Sequence, residues 1–141
     1  MPALLGPSLD RLAAAWARRA SDATIERLLG SRRGQAFLMR ALARRFDPGQ
    51  ARGFVGELQI DLRAAGGSAS SWTIVAGERA ARSRRGPAAR PAATVAVATV
   101  DLVRVALRQA DADRLLLDGR LDLAGDWRVA SRIGAMFGRA R

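Results

Sequence analysis

The order of apolar patterns along this 141-residue chain predicts an α+β domain. Apolar residues recur at helical spacing through the first third. Between Phe54 and Ala76, and again over 94–98, the period falls to two, the signature of half-buried strands. From 115 to 126 an apolar helix end turns through Asp118-Gly119 into a short alternating strand, and Gly125-Asp126 then opens a last helix. Grouped helices and grouped strands, rather than their strict alternation, are the α+β pattern.

The elements follow in order. Ser8 opens a first helix, with Leu9, Leu12, Ala13 and Trp16 on one face and Asp10, Arg11, Arg18 and Arg19 opposite. A second, Asp22–Leu29, is expected to bury Ile25, Leu28 and Leu29 and to stop at Gly30. The third spans 35–46, with Phe37, Leu38, Ala41, Leu42 and Phe46 on one stripe, and Asp47-Pro48-Gly49 ends it. Phe54, Leu58, Ile60 and Leu62 then alternate with Glu57, Gln59 and Asp61, and Gly66-Gly67-Ser68 turns the chain into a strand carrying Trp72, Ile74 and Ala76.

From Gly77 to Pro91 the pattern is interrupted by Arg79, Arg82, Arg84, Arg85 and Arg90. It reads either as a short charged edge strand followed by a loop or as a basic loop throughout. A strand over 94–98 leads to Thr99, the expected cap of a helix through about Gln109 with Leu102, Val103, Ala106 and Leu107 inward. Asp111 or Asp113 opens a further turn or helix into Leu115, Leu121 and Leu123 form the last strand, and Asp126 caps the last helix.

Composition bounds the chemistry. A chain of this length buries a core of its own. Apolar residues make up 49% of it, and no run approaches the ~20 needed to cross a bilayer. The opening residues lack the basic and apolar regions of a secretory signal, so a cytoplasmic protein is expected. Cysteine, histidine and tyrosine are absent, which removes disulfides, thiolate nucleophiles, Cys/His zinc sites and imidazole acid–base chemistry. No catalytic residue, metal site or cofactor is assigned, and an enzyme is not expected. Asp111, Asp113, Asp118, Asp122 and Asp126 recur along the C-terminal segment, but caps and turns account for them.

The net charge is +11, and every basic residue is Arg. Arg in place of Lys fits a GC-rich bacterial genome, but the excess over acids favours an anionic partner: nucleic acid, an acidic membrane surface, or a ligand bearing carboxylate or phosphate. Aromatics are few and sit at core-like positions, which argues against a specific nucleic-acid reader.

Taken together, several segments resemble the sterol carrier protein-2 (SCP2) lipid-binding family. They are Phe46-Asp47-Pro48, Leu58-Gln59-Ile60-Asp61-Leu62, Trp72-Thr73-Ile74-Val75, Thr94-Val95-Ala96-Val97, Asp101-Leu102, Gly119-Arg120-Leu121, Gly125-Asp126 and Met136-Phe137. The likeness covers roughly 34–138 and departs at Gly77-Glu78-Arg79-Ala80-Ala81-Arg82, where such domains show a cleaner third strand. The resemblance implies a five-stranded, mostly antiparallel sheet with helices on one face, enclosing an apolar tunnel for sterols, fatty acids or fatty acyl-CoA. The helices before Gly34 lie largely outside the likeness, so the chain divides into an N-terminal helical extension over 1–33 and an SCP2-like lipid-binding domain over 34–141.

Tunnel-lining candidates are Phe54, Leu58, Ile60, Trp72, Ile74, Val95, Val97, Leu102, Leu121, Leu123, Ile133, Met136 and Phe137, which any core of this kind would also bury. Arg79, Arg82, Arg84 and Arg85 are candidates for an anionic head group or membrane, or are simply a solvated face. The last helix is either a close-packed element or a lid loosened by Gly134. The N-terminal helix either packs on the domain, pairs two copies as a homodimer, or lies on a membrane. The competing reading is an accessory domain beside a lipid- or quinone-biosynthesis enzyme.

Overall fold

The computed structural model describes residues 15, 16 and 18–137. Ala15, Trp16, Arg18 and Arg19 are helical; the start of the expected first helix lies outside the described residues. The elements that follow are α1 (Asp22–Leu29), α2 (Arg32–Arg44), α3 (Pro48–Ala51), β1 (Gly56–Arg63), β2 (Ala69–Ala76) and β3 (Ala81–Arg85). Then come β4 (Pro91–Ala98), α4 (Thr99–Ala106), α5 (Ala112–Leu117), β5 (Leu121–Gly125), α6 (Trp127–Ala130) and α7 (Ile133–Phe137).

Local chemistry sets most of the helix starts. Ser21 and Ser31 accept from the Thr24 and Gly34 backbone N–H groups, and Asp47, Asp111 and Asp126 do the same for α3, α5 and α6. Asp111 and Asp126 therefore act as helix caps. Thr99 does not. Ala98 holds the extended N-cap conformation, while the fully buried Thr99 hydroxyl turns inward to the Arg63 carbonyl oxygen at 3.4 Å.

The five strands lie in the order β3-β2-β1-β4-β5. All neighbours are antiparallel except β1 and β4, which run parallel. Register places Arg85, Trp72, Ile60, Val95 and Leu123 in one row across the sheet. The next row holds Ser83, Ile74, Leu58, Ala93 and Gly125. Because side chains alternate along a strand, these rows share one face, and the helices cover it. The ambiguous arginine segment is an edge strand, β3, and its charges guard the free edge.

The connection from β3 to β4 crosses the outer face, and the polar side chains there hold it. Thr73 Oγ1 donates to the Gly86 carbonyl oxygen at 2.9 Å, the Ala88 N–H donates to Gln59 Oε1 at 3.0 Å, and the Arg90 N–H donates to Glu57 Oε1 at 3.3 Å. These bonds give part of the strap's backbone its hydrogen-bond partners as it crosses to β4.

Helix α2 packs over β2 and β3, and α1 bridges α2 and α4. Two helix residues expected inside are outside: Leu28 is 50% and Phe37 55% exposed. The last helix is also broken, α6 and α7 being separated at Ser131 and Arg132.

Candidate functional site

The inner sheet face supplies a continuous apolar surface. Leu58, Ile60, Trp72, Ile74, Val95, Val97 and Leu121 are buried there, and Leu123 is half-buried at the β5 edge. From the helices, Met136 and Phe137 are buried, while Leu102 and Ile133 are half-buried against the same cluster. Phe54 precedes β1 and packs on the cluster from the side. All of the apolar candidates thus meet one core. The candidate lining left out Ile25, Met39 and Leu62, which are also fully buried; Ile25 and Leu62 are on expected apolar faces, and Met39 is not singled out by the sequence pattern. Leu62 continues the alternation of Leu58 and Ile60, and that signal was available.

Among the described residues, a buried side-chain hydrogen bond enters this interior. The Trp72 Nε1–H donates to Gln35 Oε1 at 3.1 Å, and both side chains are buried. The Arg85 guanidinium lies 4.6 Å from the Trp72 ring centroid, closing the end of the row by a cation–π contact. The other arginines of this segment point elsewhere. Arg82 and Arg84 fall on the opposite face of β3 from Arg85, Arg84 pairs with Glu57 at 3.3 Å, and Arg79 sits in the preceding loop. The four head-group candidates do not converge on one point.

The C-terminal end is fastened on one side and open on the other. The Asp47 N–H donates to the Met136 carbonyl oxygen at 2.8 Å, and the Phe46 and Phe137 rings lie 5.6 Å apart. Arg132 donates to the Gln50 carbonyl oxygen through Nε at 3.1 Å and through a terminal nitrogen at 2.6 Å. On its other side α7 borders an open groove of about 590 Å³, lined by Val105, Arg108, Asp111, Ala112, Gly134 and Ala135 among others. Gly134 faces this open space, and a methyl group there would meet nothing.

Two ion pairs brace the surroundings. Asp101, almost buried, pairs with Arg120 at 2.6 Å, and Arg104 pairs with Asp22 at 2.7 Å, joining α4 to α1. Among the described residues no group of His, Cys, Asp and Glu is placed to hold a metal ion, and no helix is long and apolar enough to cross a membrane.

Fold and site together define a small α+β domain organised around a one-sided apolar interior. The sequence profile of the SCP-2 sterol transfer family matches residues 38–138. The chain belongs to that family. No curated protein sequence matches it significantly.

Solved structures share the fold. A palmitated SCP2L2 from Aedes aegypti is 21% identical with a TM-score of 0.59, the alignment covering 74% of this chain and 92% of that one. The inverting sec-alkylsulfatase Pisa1 from a Pseudomonas species is 17% identical with a TM-score of 0.62, covering 77% of this chain but 17% of the enzyme. A UbiJ-SCP2 ubiquinone synthesis protein is 22% identical with a TM-score of 0.53, covering 75% of this chain and 87% of that one.

Proposed function

We propose that the chain binds and transfers a hydrophobic lipid, such as a sterol, fatty acid or fatty acyl-CoA, in its apolar interior and catalyses no reaction. The observation that carries this reading is the row Trp72, Ile60, Val95 and Leu123, an apolar strip across four strands roofed by helices. Family membership supports it. A tail buried there gains about 0.8 kcal/mol per methylene, so affinity needs no polar anchor and rises with tail length. The groove beside α7 is the proposed mouth and α7 the proposed lid, hinged where Arg132 and Met136 hold it to α3. Arg79, Arg82, Arg84 and Arg85 remain proposed contacts for an anionic head group, with Arg85 placed best, at the end of the strip.

A second reading is an accessory domain serving a lipid- or quinone-biosynthesis enzyme. The likenesses to the ubiquinone synthesis protein and to one segment of the alkylsulfatase favour it.

Native mass spectrometry of freshly purified protein tests the first reading. A lipid-mass adduct at one per chain is expected, with fatty-acid affinity rising about fourfold per added methylene. Adduct-free protein that takes up none of the three lipid classes argues against it. Capture of a biosynthetic enzyme by lipid-free protein favours the second.

A further inference from the structure

Gln35 is 3% exposed, yet half of its side-chain amide is unused. The indole N–H of Trp72 is a donor only, so the 3.1 Å bond takes the amide oxygen and fixes which way round the amide lies. The Gln35 Nε2 group is thereby turned away from the indole, and among the described residues it has no acceptor. Among those residues no fully enclosed side-chain nitrogen or oxygen lacks a partner, so Nε2 borders open space at the edge of the interior.

A second donor reaches the same indole from β3. The Arg85 guanidinium stacks on the Trp72 ring and makes no ion pair or hydrogen bond among the described residues. Register puts Arg85 beside Trp72 on the helix-covered face, and α2 packs over β3. Gln35 and Arg85 are therefore donors from two elements that meet at one ring. Neither α2 nor β3 carries an Asp or Glu, so neither element supplies a carboxylate of its own to compete for them.

We propose that Gln35 Nε2 and the Arg85 guanidinium together hold the carboxylate of the bound lipid, making the chain selective for free fatty acids over sterols and acyl thioesters. This rests on the carrier reading and adds a polar anchor to it. A carboxylate accepts at two oxygens, one for the neutral amide and one for the guanidinium. A sterol hydroxyl or a thioester carbonyl is uncharged and gains little from Arg85. The anchor lies at the β3 end of the apolar row, so the tail runs from Trp72 past Ile60 and Val95 toward Leu123, a path of about 14 Å at the usual strand spacing. Burial of the tail supplies affinity, and the two donors supply direction and the choice of head group.

In the experiment, equimolar palmitate, methyl palmitate and cholesterol compete for the delipidated full chain, and native mass spectrometry reads the three adducts. The parent is compared with Gln35→Glu, which keeps an acceptor for the indole while removing the amide donor, and with Arg85→Gln and Arg85→Lys. Arg40→Gln, at an exposed position of α2, is the control. Thermal melts check that each variant folds, and the exposed Arg85 carries the test should Gln35→Glu not fold. The parent should prefer palmitate to its methyl ester by about tenfold or more. Gln35→Glu and Arg85→Gln should each remove most of that preference, Arg85→Lys should keep part of it, and Arg40→Gln all of it. Equal uptake of palmitate and ester by the parent, or a preference that survives both Gln35→Glu and Arg85→Gln, would overturn the anchor and leave the carrier reading standing. A chain that takes up none of the three probes would overturn both.

Discussion

The indole N–H of Trp72 donates to the side-chain oxygen of Gln35 across 3.1 Å, a buried polar link between β2 and α2. Replacing Gln35 by Met strands the indole donor, and we expect a loss of about 1–3 kcal/mol in denaturant unfolding. Gln35→Met combined with Trp72→Phe should recover part of that loss, because the orphaned donor is gone. A double-mutant cycle with no coupling would show that the bond contributes nothing.

Asp101 and Arg120 make a second asymmetric pair. The carboxylate side chain is 9% exposed, whereas the arginine is 58% exposed. Arg120→Gln is expected to cost about 1–2 kcal/mol, less than the 3–5 of a fully buried pair, because water screens the outer partner. Urea melts of both proteins at low and moderate salt check this. A variant as stable as the parent would mean that the α4 helix N-terminus alone satisfies Asp101.

Gly125 and Gly134 should respond in opposite directions. Gly125 holds φ near +105°, and a methyl group there would strike the Ala92 carbonyl oxygen. Gly125→Ala should therefore cost more than the about 1–3 kcal/mol of backbone strain. Gly134 meets open space inside α7, so Gly134→Ala should stabilise the protein by up to about 1 kcal/mol. If α7 is a lid, the same substitution slows lipid release in a stopped-flow exchange assay.

Phe137 anchors that helix against Phe46 and is 4% exposed. Phe137→Ala should lower stability by about 3 kcal/mol and speed lipid release. Arg132→Gln, which removes the tie to the Gln50 carbonyl, should speed release with a smaller change in the melting temperature. Unchanged release in both variants would take the lid role away from α7.

The strands were legible because alternation is local: Leu58, Ile60 and Leu62 announce their face without help from the rest of the chain. Other features depend on distant partners. Phe37 reads as core by apolarity, yet Arg33, Arg40 and Arg44 share its side of the turn and mark it as outward. Thr99 reads as a cap, but the Arg63 carbonyl draws its hydroxyl inward. The break between α6 and α7 falls where Arg132 reaches Gln50, a contact no local pattern announces. The candidate lining was legible as a set of apolar positions. Its polar contact was not, since Gln35 and Trp72 lie 37 residues apart.

The central claim is that lipid occupies the interior beside Trp72. The most direct measurement is a fluorescence titration of the Trp16→Phe/Trp127→Phe variant, in which Trp72 is the only remaining tryptophan. Fatty acid, fatty acyl-CoA and sterol are added to delipidated protein. A saturable change in Trp72 emission at one lipid per chain is expected for at least one of these classes. Emission that stays unchanged across all three, in protein that remains folded, would contradict it.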